Sequence, residues 1–595
     1  MSNKLLAGTA VLLAAVTVIS VAAAASRNRT ETQVPASAAE RLEESPASAA
    51  ERLTASPVSD AVRITLDGSR ISGASGSVKV SGSVATVTAA GTYQVSGALD
   101  NGYLVVDAGK EDTVQLLLDN ASITSETFAA LYVKQAGKVV VTLADGSKNA
   151  LSNGGTFETI DANKVDGVIF SKDDLTLNGN GTLTIGASGK HGVVCKDDLS
   201  VISGTYDIAA SGHALSAKNS VNIAGGTLRL TAGKDAIQAE HDDDKTKGNI
   251  YLAGGNVTLT AEDDGLNASG SVLVNGGNVS MRVAGDGIHA DASVAISGGT
   301  VAIPACKEGI EGATIVISDG LVSLTSSDDG LNATAGISEN RAIRGQGGFD
   351  ANSSATPKAS ASVTLMPVDA DTETGSASVA ALTISGGEVH VNAEGDGLDS
   401  NGDLLISGGV VYVSGPTRNG NGALDYNGKG SITGGVLIAT GPAGMGQNQN
   451  FDASSTQGAV MVTTGSQKAG SVITLTDKDG TELLRWTAEK DFGCVNISCP
   501  GLVQGGTYVL TAGSYTETIS MQSLIYGAGA GEGFGRNFRN GTAGGQNPEN
   551  GQIPDGAAPG NGQIRGGKRH GRPGTGTGTG STPTAPTVVP SGDMI

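Results

Sequence analysis

Between about Lys164 and Gly435 an acidic or histidine residue followed by Gly or Ala returns at Asp166, His191, His213, Asp235, Asp264, Asp286, Glu308, Asp329 and Asp396. Most intervals are close to about 22 residues, and a fixed period of that length marks units that bury an apolar face only by stacking on their neighbours. Each unit adds a strand such as Ser271-Val-Leu-Val or Ser293-Val-Ala-Ile, a glycine corner such as Asn275-Gly-Gly or Ser297-Gly-Gly, and a second strand such as Val279-Ser-Met or Val322-Ser-Leu. Glycine pairs suit corners that need positive φ and a close approach of neighbouring backbones. The pattern predicts an all-β fold, a right-handed parallel β-helix whose coils stack about 4.8 Å apart around a column of Val, Ile and Leu. A leucine-rich repeat would need a Leu-x-x-Leu-x-Leu frame and a propeller blade a period near about 40, and neither is present.

The rest of the chain departs from this period. An apolar stretch, Leu5 to Ala25, ends in small residues and reads as a signal peptide over 1–26, with an uncleaved N-terminal membrane anchor as the alternative. Residues 27–60 hold a duplicated Pro-Ala-Ser-Ala-Ala-Glu-Arg-Leu and read as a spacer. The repeat domain is expected over 61–457, with an inserted Ser/Ala/Gly/Asp-rich loop at about 336–379. Residues 458–525, around Trp486, are expected to form a small β cap, and 526–595 a disordered Gly-rich tail with a basic knot at Arg565, Lys568, Arg569 and Arg572. Cys195, Cys306, Cys494 and Cys499 are too few for a disulfide scaffold; Cys494 and Cys499 are near enough in sequence to bridge in an oxidising compartment, or all four are buried thiols. With 38 Lys and Arg against 59 Asp and Glu, the formal charge of −21 excludes nucleic acid as a partner.

Stacking sets the acidic positions over one another, so Asp264, Asp286, Glu308, Asp329 and Asp396 form one outward column and Asn267, His289, Glu311, Asn332 and Asp399 a second, with Asp263, Asp291 and Asp328 close by. Like charges so placed repel unless a hard cation intervenes. Asp264, Asn267, Asp286, Glu308, Glu311, Asp329, Asn332, Asp396 and Asp399 are therefore the candidate Ca²⁺ ligands. The competing reading is that Asp before Gly merely makes Asx turns. Asp242, Asp243 and Asp244 read as a solvated acidic loop.

No catalytic residue stands out: there is no nucleophile elbow, His-Glu-x-x-His or Cys-x-x-Cys. Lys190, Lys234 and Lys307 precede acidic-column positions, where a neutral Lys beside Ca²⁺ could abstract the α-proton of a uronate; charge balance among carboxylates is the better account.

Gly91-Thr-Tyr-Gln-Val-Ser-Gly-Ala-Leu, Val114-Gln-Leu-Leu-Leu-Asp-Asn-Ala-Ser-Ile-Thr, the Asp-Gly-[Leu/Ile] units with their Ile-Ser-Gly-Gly corners, and Asn496-Ile-Ser-Cys-Pro-Gly-Leu-Val-Gln-Gly-Gly-Thr-Tyr together resemble the clostridial-type carbohydrate-binding β-helix proteins over about Val62 to Met521. The resemblance implies a polysaccharide-lyase-like fold and Ca²⁺-associated binding of cellulose-like or pectin-like polysaccharide at the cell surface, without established catalysis. The expected protein is a secreted or surface-held monomer that binds polysaccharide; the alternatives are a Ca²⁺-dependent pectate-type lyase and a structural stalk. With 3% aromatic residues a stacking platform for sugars is not expected, and recognition would fall to Asp, Asn and the few Tyr.

Overall fold

The computed structural model describes residues 61–334, 380–444 and 448–527. These lie in one compact unit. The expected export segment and spacer, the 336–379 insertion and the tail beyond 527 fall outside the described residues.

Among the described residues the secondary structure is entirely β, and no helix is long and apolar enough to cross a membrane. Period-two alternation sets the strands: Asn256–Ala261 and Thr227–Ala232 each bury every second side chain. Their apolar members line up across the sheet. Val257, Val279, Val301, Val322, Val389, Val411 and Leu437 lie side by side in parallel register, as do Leu266, Ile288, Ile310, Leu331, Leu398 and Leu424. A third row runs through Val272, Val294, Ile315, Leu382 and Leu404. These rows belong to one apolar core running from Ile64 to Ala459. Full burial of each such side chain contributes about 1.5–3 kcal/mol before entropy is counted.

The corners answer to the glycines. Gly277 and Gly299 have φ of +85° and +80°, and a β-carbon on Gly299 would stand 2.7 Å from the carbonyl carbon of Gly276. Strands on either side of the undescribed 335–379 stretch pair directly, Asn332 with Asp399, so the register resumes beyond it.

The expected fold class is corrected by the sheet itself. In place of a right-handed β-helix solenoid of equal coils, the strands close into one mainly parallel sheet of 39 strands that carries further strands outside it. Ile288–Cys306 and Ile310–Ser326 run as single long strands where two short ones and a corner were expected. At the N-terminal side Val62–Gly68 pairs antiparallel with Arg70–Ser72, and Val78–Ser81 with Val84–Val87. At the other end Phe492–Ser498 pairs antiparallel with both Val436–Gly441 and Ala459–Gln467. The physical reason is that a period specifies which residues pair; it fixes neither the hand of the connections nor the way the sheet closes and ends.

The expected cap region is divided between two sheets. Ala459–Gln467, Phe492–Ser498 and Ile525–Tyr526 extend the large sheet, while Val472–Asp477, Glu482–Thr487, Thr507–Ala512 and Tyr515–Ser520 form a separate antiparallel sheet whose Ile473, Leu475, Leu510 and Ile519 share one core with Ile438, Val460, Val495 and Ile497 of the large sheet. The Cys494–Cys499 bridge offered as one reading is absent: all four cysteines are free and buried, and burial pushes the Cys494 thiol up to about 12.

Candidate functional site: two polar rows on one edge

The first row is built where successive repeats touch through their backbones. Gly287 N–H donates to the Glu308 carbonyl at 2.9 Å, and a β-carbon on Gly287 would meet the Gly309 carbonyl oxygen at 2.6 Å. At Gly287 a side chain would have to displace its neighbours, whereas at Ala236, whose N–H makes the same kind of bond to the Asp264 carbonyl at 2.9 Å, a methyl group is accommodated. The acid in turn holds the next repeat: Asp264 Oδ1 accepts the Asp286 N–H at 2.8 Å, Asp329 Oδ1 accepts the Asp396 N–H at 2.7 Å, and Asp396 Oδ1 accepts the Gly422 N–H at 2.5 Å. Earlier in the row His191 Nδ1 accepts the His213 N–H at 3.0 Å, and the two imidazoles stack with centroids 4.9 Å apart. Acid and His thus occupy one position because both offer an acceptor there. Asp166 stands one residue out of register, since His191 pairs with Gly167.

The second row is continuous over the sheet and changes character along it. It begins apolar, through Val105, Tyr132, Phe170 and Val194, becomes neutral at Ser216, Gln238 and Asn267, and ends as His289, Glu311, Asn332, Asp399 and Asp425. The apolar part packs as an aromatic cluster with Phe128, in which Asp161 Oδ2 accepts from the Tyr132 hydroxyl at 2.6 Å.

Between them the rows bring the expected residues into groups of different electrostatic character. Asp264 meets Asp235 and Asp263, and Asn267 Nδ2 bridges Asp235 at 3.1 Å and Asp264 at 2.9 Å. Burial, with Asp286 and Asp235 nearby, pushes Asp264 up to about 7. Asp286 meets Glu311 around His289, whose Nδ1 lies 3.0 Å from Glu311 and 3.6 Å from Asp286, with Nε2 3.3 Å from Asp291. Burial opposes a charge on His289, but hydrogen bonds to Asp286, Asp291 and Glu311 outweigh it and raise the group to about 11, so this group carries its own cation. Glu308 is paired with Lys307 at 2.6 Å and accepts from Asn332 at 3.2 Å.

The last group is different. Asp329, Asp396 and Asp399 each bring a carboxylate oxygen within 4.8 Å of the others, and among the described residues none of the three makes an ion pair. Burial foremost raises Asp329 and Asp396 to about 6; for Asp399, burial together with Asp329 and Asp396 gives about 7. Beside them in the row, Asn332 Oδ1 is buried with no hydrogen-bond partner.

All nine expected residues therefore lie on one edge, but they do not form one uniform cation ladder. Sequence reasoning missed the carboxylate group of Asp174, Asp197 and Asp198, where burial raises Asp174 and Asp197. Its signal was present as Lys172-Asp-Asp-Leu repeated at Lys196-Asp-Asp-Leu, away from the acid-Gly frame. The Asp242–Asp244 run closes on itself: Asp244 N–H donates to His241 Nδ1 and its carboxylate accepts from Thr246.

Fold and edge together define the class: a repeat-built all-β protein with rows of acids along one face. The chain belongs to the carbohydrate-binding domain-containing protein family, whose model matches residues 81–330 and 276–420, more than half of the chain. A carbohydrate-binding domain-containing protein of Acetivibrio thermocellus is 38% identical over 126 residues, which make up 21% of this chain and 44% of that relative. The match spans less than half of that relative's length. A solved structure described as the polysaccharide lyase-like protein from C. thermocellum, gadolinium derivative, is 33% identical and covers 40% of this chain and 96% of its own, with a TM-score of 0.37.

Proposed function

We propose that this protein is an exported, monomeric, non-catalytic carbohydrate-binding protein that takes a cellulose-like or pectin-like polysaccharide at its acidic edge, with Ca²⁺ held at Asp329, Asp396 and Asp399. The observation that carries the cation is the convergence of these three carboxylates without a cationic side chain paired to any of them among the described residues. Hard oxygen donors of this kind suit Ca²⁺, and the unpartnered Asn332 Oδ1 adds a neutral oxygen in the same row. Bound there, Ca²⁺ supplies a positive centre through which an anionic glycan can approach a chain of charge −21. Export rests on the apolar Leu5 to Ala25 stretch.

Family membership supports carbohydrate as the ligand. The lyase alternative is not favoured by the lysines: Lys307 is held by Glu308 at 2.6 Å and Lys190 lies 3.6 Å from Asp166, the arrangement of charge balance. The test is retention on insoluble cellulose and on pectate gel with Ca²⁺ or chelator, with the supernatant assayed for unsaturated uronate. Retention without product is the expected outcome. Unsaturated product would establish a lyase, and no retention on either matrix would leave a structural stalk.

A further inference from the structure

One face of the large sheet carries a row in which residue size changes abruptly. Ala302, Ser323, His390 and Tyr412 are adjacent in register on neighbouring strands. The small pair leaves a floor and the large pair rises from it as a wall. Glu482–Thr487, from the separate antiparallel sheet, sets Trp486 against the same wall. The ring centroids of His390 and Tyr412 are 4.8 Å apart at 31°, and those of Tyr412 and Trp486 are 6.0 Å apart at 24°. The space so formed is a cavity of about 570 Å³, within the size of small-molecule sites, and its floor includes Leu321, a large apolar side chain left 39% exposed.

The rim is polar and pre-set. Glu388 Oε1 lies 2.6 Å from His390 Nε2, while Glu489 Oε2, in the connection between Glu482–Thr487 and Phe492–Ser498, accepts from Asn392 at 3.3 Å and from Ser414 at 3.2 Å on the large sheet. Among the described residues the Tyr412 hydroxyl and the Trp486 indole N–H have no hydrogen-bond partner, so both remain to donate to a ligand. Aromatic rings beside carboxylates, amide and hydroxyl suit a pyranose ring, whose C–H face is apolar and whose equatorial hydroxyls need donors and acceptors around its edge. Two glutamates and no Lys or Arg in the lining select against a uronate.

We infer that the cavity walled by His390, Tyr412 and Trp486 is a binding subsite for a neutral hexopyranose unit of a polysaccharide, separate from the acidic edge and independent of Ca²⁺. The inference rests on the carbohydrate-binding reading above and adds to it a place and a sugar class. Trp486 lies beyond the residues matched by the family model, so the subsite joins the family's repeats to the C-terminal strands of this chain.

Trp486 is the single tryptophan of the chain, so its emission reports on this cavity alone. The full chain is titrated with cellohexaose and with a hexamer of galacturonate, in Ca²⁺ and in chelator, following emission, with retention on cellulose measured in parallel. A saturable emission change with cellohexaose, equal with and without chelator and absent with the uronate, is expected. His390→Ala should weaken it at least tenfold. Ser323→Tyr, at an outward position that fills the floor and leaves the aromatic wall intact, should do the same even if changes to the wall harm folding. Retention on cellulose without an emission change overturns the subsite and leaves the carbohydrate-binding reading standing. An emission change unaltered by both variants also overturns the subsite, and no retention with no emission change overturns both.

Discussion

Asp264 Oδ1 accepts the backbone N–H of Asp286 at 2.8 Å, so a side chain in one repeat completes the main chain of the next. Both residues are buried, and an unanswered donor there has no water to turn to. Asp264→Ala is expected to lower stability by about 1–3 kcal/mol, whereas Asp264→Asn, which keeps an oxygen acceptor, should lose clearly less. Urea unfolding of the two variants side by side checks this; equal losses would mean that the hydrogen bond contributes nothing measurable.

His289 stands among Asp286, Asp291 and Glu311 as their counter-charge. Replacing it by Asn leaves buried carboxylates facing each other and should cost about 3–5 kcal/mol in chelator. Added Ca²⁺ should then restore part of the loss and titrate as one ion more than in the wild type, by calorimetry. A variant whose stability ignores Ca²⁺ would argue against this edge as a cation-accepting surface.

Asp399→Asn removes one of three mutually repelling carboxylates. In chelator at pH 8 its melting temperature should equal or exceed that of the wild type, while the stabilisation by Ca²⁺, expected for the wild type at about 2.7 kcal/mol at a hundredfold excess over Kd, should fall. Thermal melts with and without Ca²⁺ read both effects, and an unchanged Ca²⁺ response would remove Asp399 from the ligand set.

The same group sets a pH dependence. Asp329 and Asp396 at about 6 and Asp399 at about 7 keep protons in the folded chain that the unfolded chain, at an ordinary 3.8, has already released. Stability from these groups is therefore present below about pH 4 and is lost as pH rises through 6 to 7. His289, raised to about 11, acts in the same sense but only above its ordinary 6.5. Asp286, held low by His289 and Lys307 despite burial, acts in the opposite sense only below 3.8. In chelator the protein should melt higher at pH 5 than at pH 8, and excess Ca²⁺ should narrow the gap from the pH 8 side. A gap of the same size with and without Ca²⁺ would separate the pH effect from cation binding.

Gly287→Ala should cost about 1–3 kcal/mol, because its β-carbon would lie 2.6 Å from both the Gly309 carbonyl oxygen and Ile303. Gly146, where an added β-carbon meets nothing within 4 Å, has φ of +68°, so Gly146→Asn, a residue tolerant of that conformation, should cost far less. Comparing the two by denaturant midpoint distinguishes crowding between repeats from a general intolerance of the glycine positions.

Much of this was legible in the sequence because the repeat places partners at a constant separation: Leu266, Ile288 and Ile310 could be aligned on paper, and they pair so in the sheet. The two polar rows followed from the same alignment. What the period could not carry was anything that depends on closure or on chain segments outside it. The hand of the connections and the antiparallel ends were of this kind, and so was the aromatic wall, where Trp486 reaches His390 and Tyr412 from a separate sheet. The low aromatic content gave no sign that His390, Tyr412 and Trp486 would gather in one place. The electrostatic roles within the rows were equally hidden, because His289 as counter-charge follows from three contacts that no single repeat displays.

The side-chain to backbone bond handed from Asp264, Asp329 and Asp396 to the following repeat bears on how such a chain can change its length in evolution. Addition or removal of one whole repeat leaves every pairing, every glycine contact and each such bond with an equivalent partner. Loss of a single residue inside a strand would instead turn the following side chains from core to solvent. Length is therefore heritable in whole units, and the reach of the acidic edge grows or shrinks by the same step.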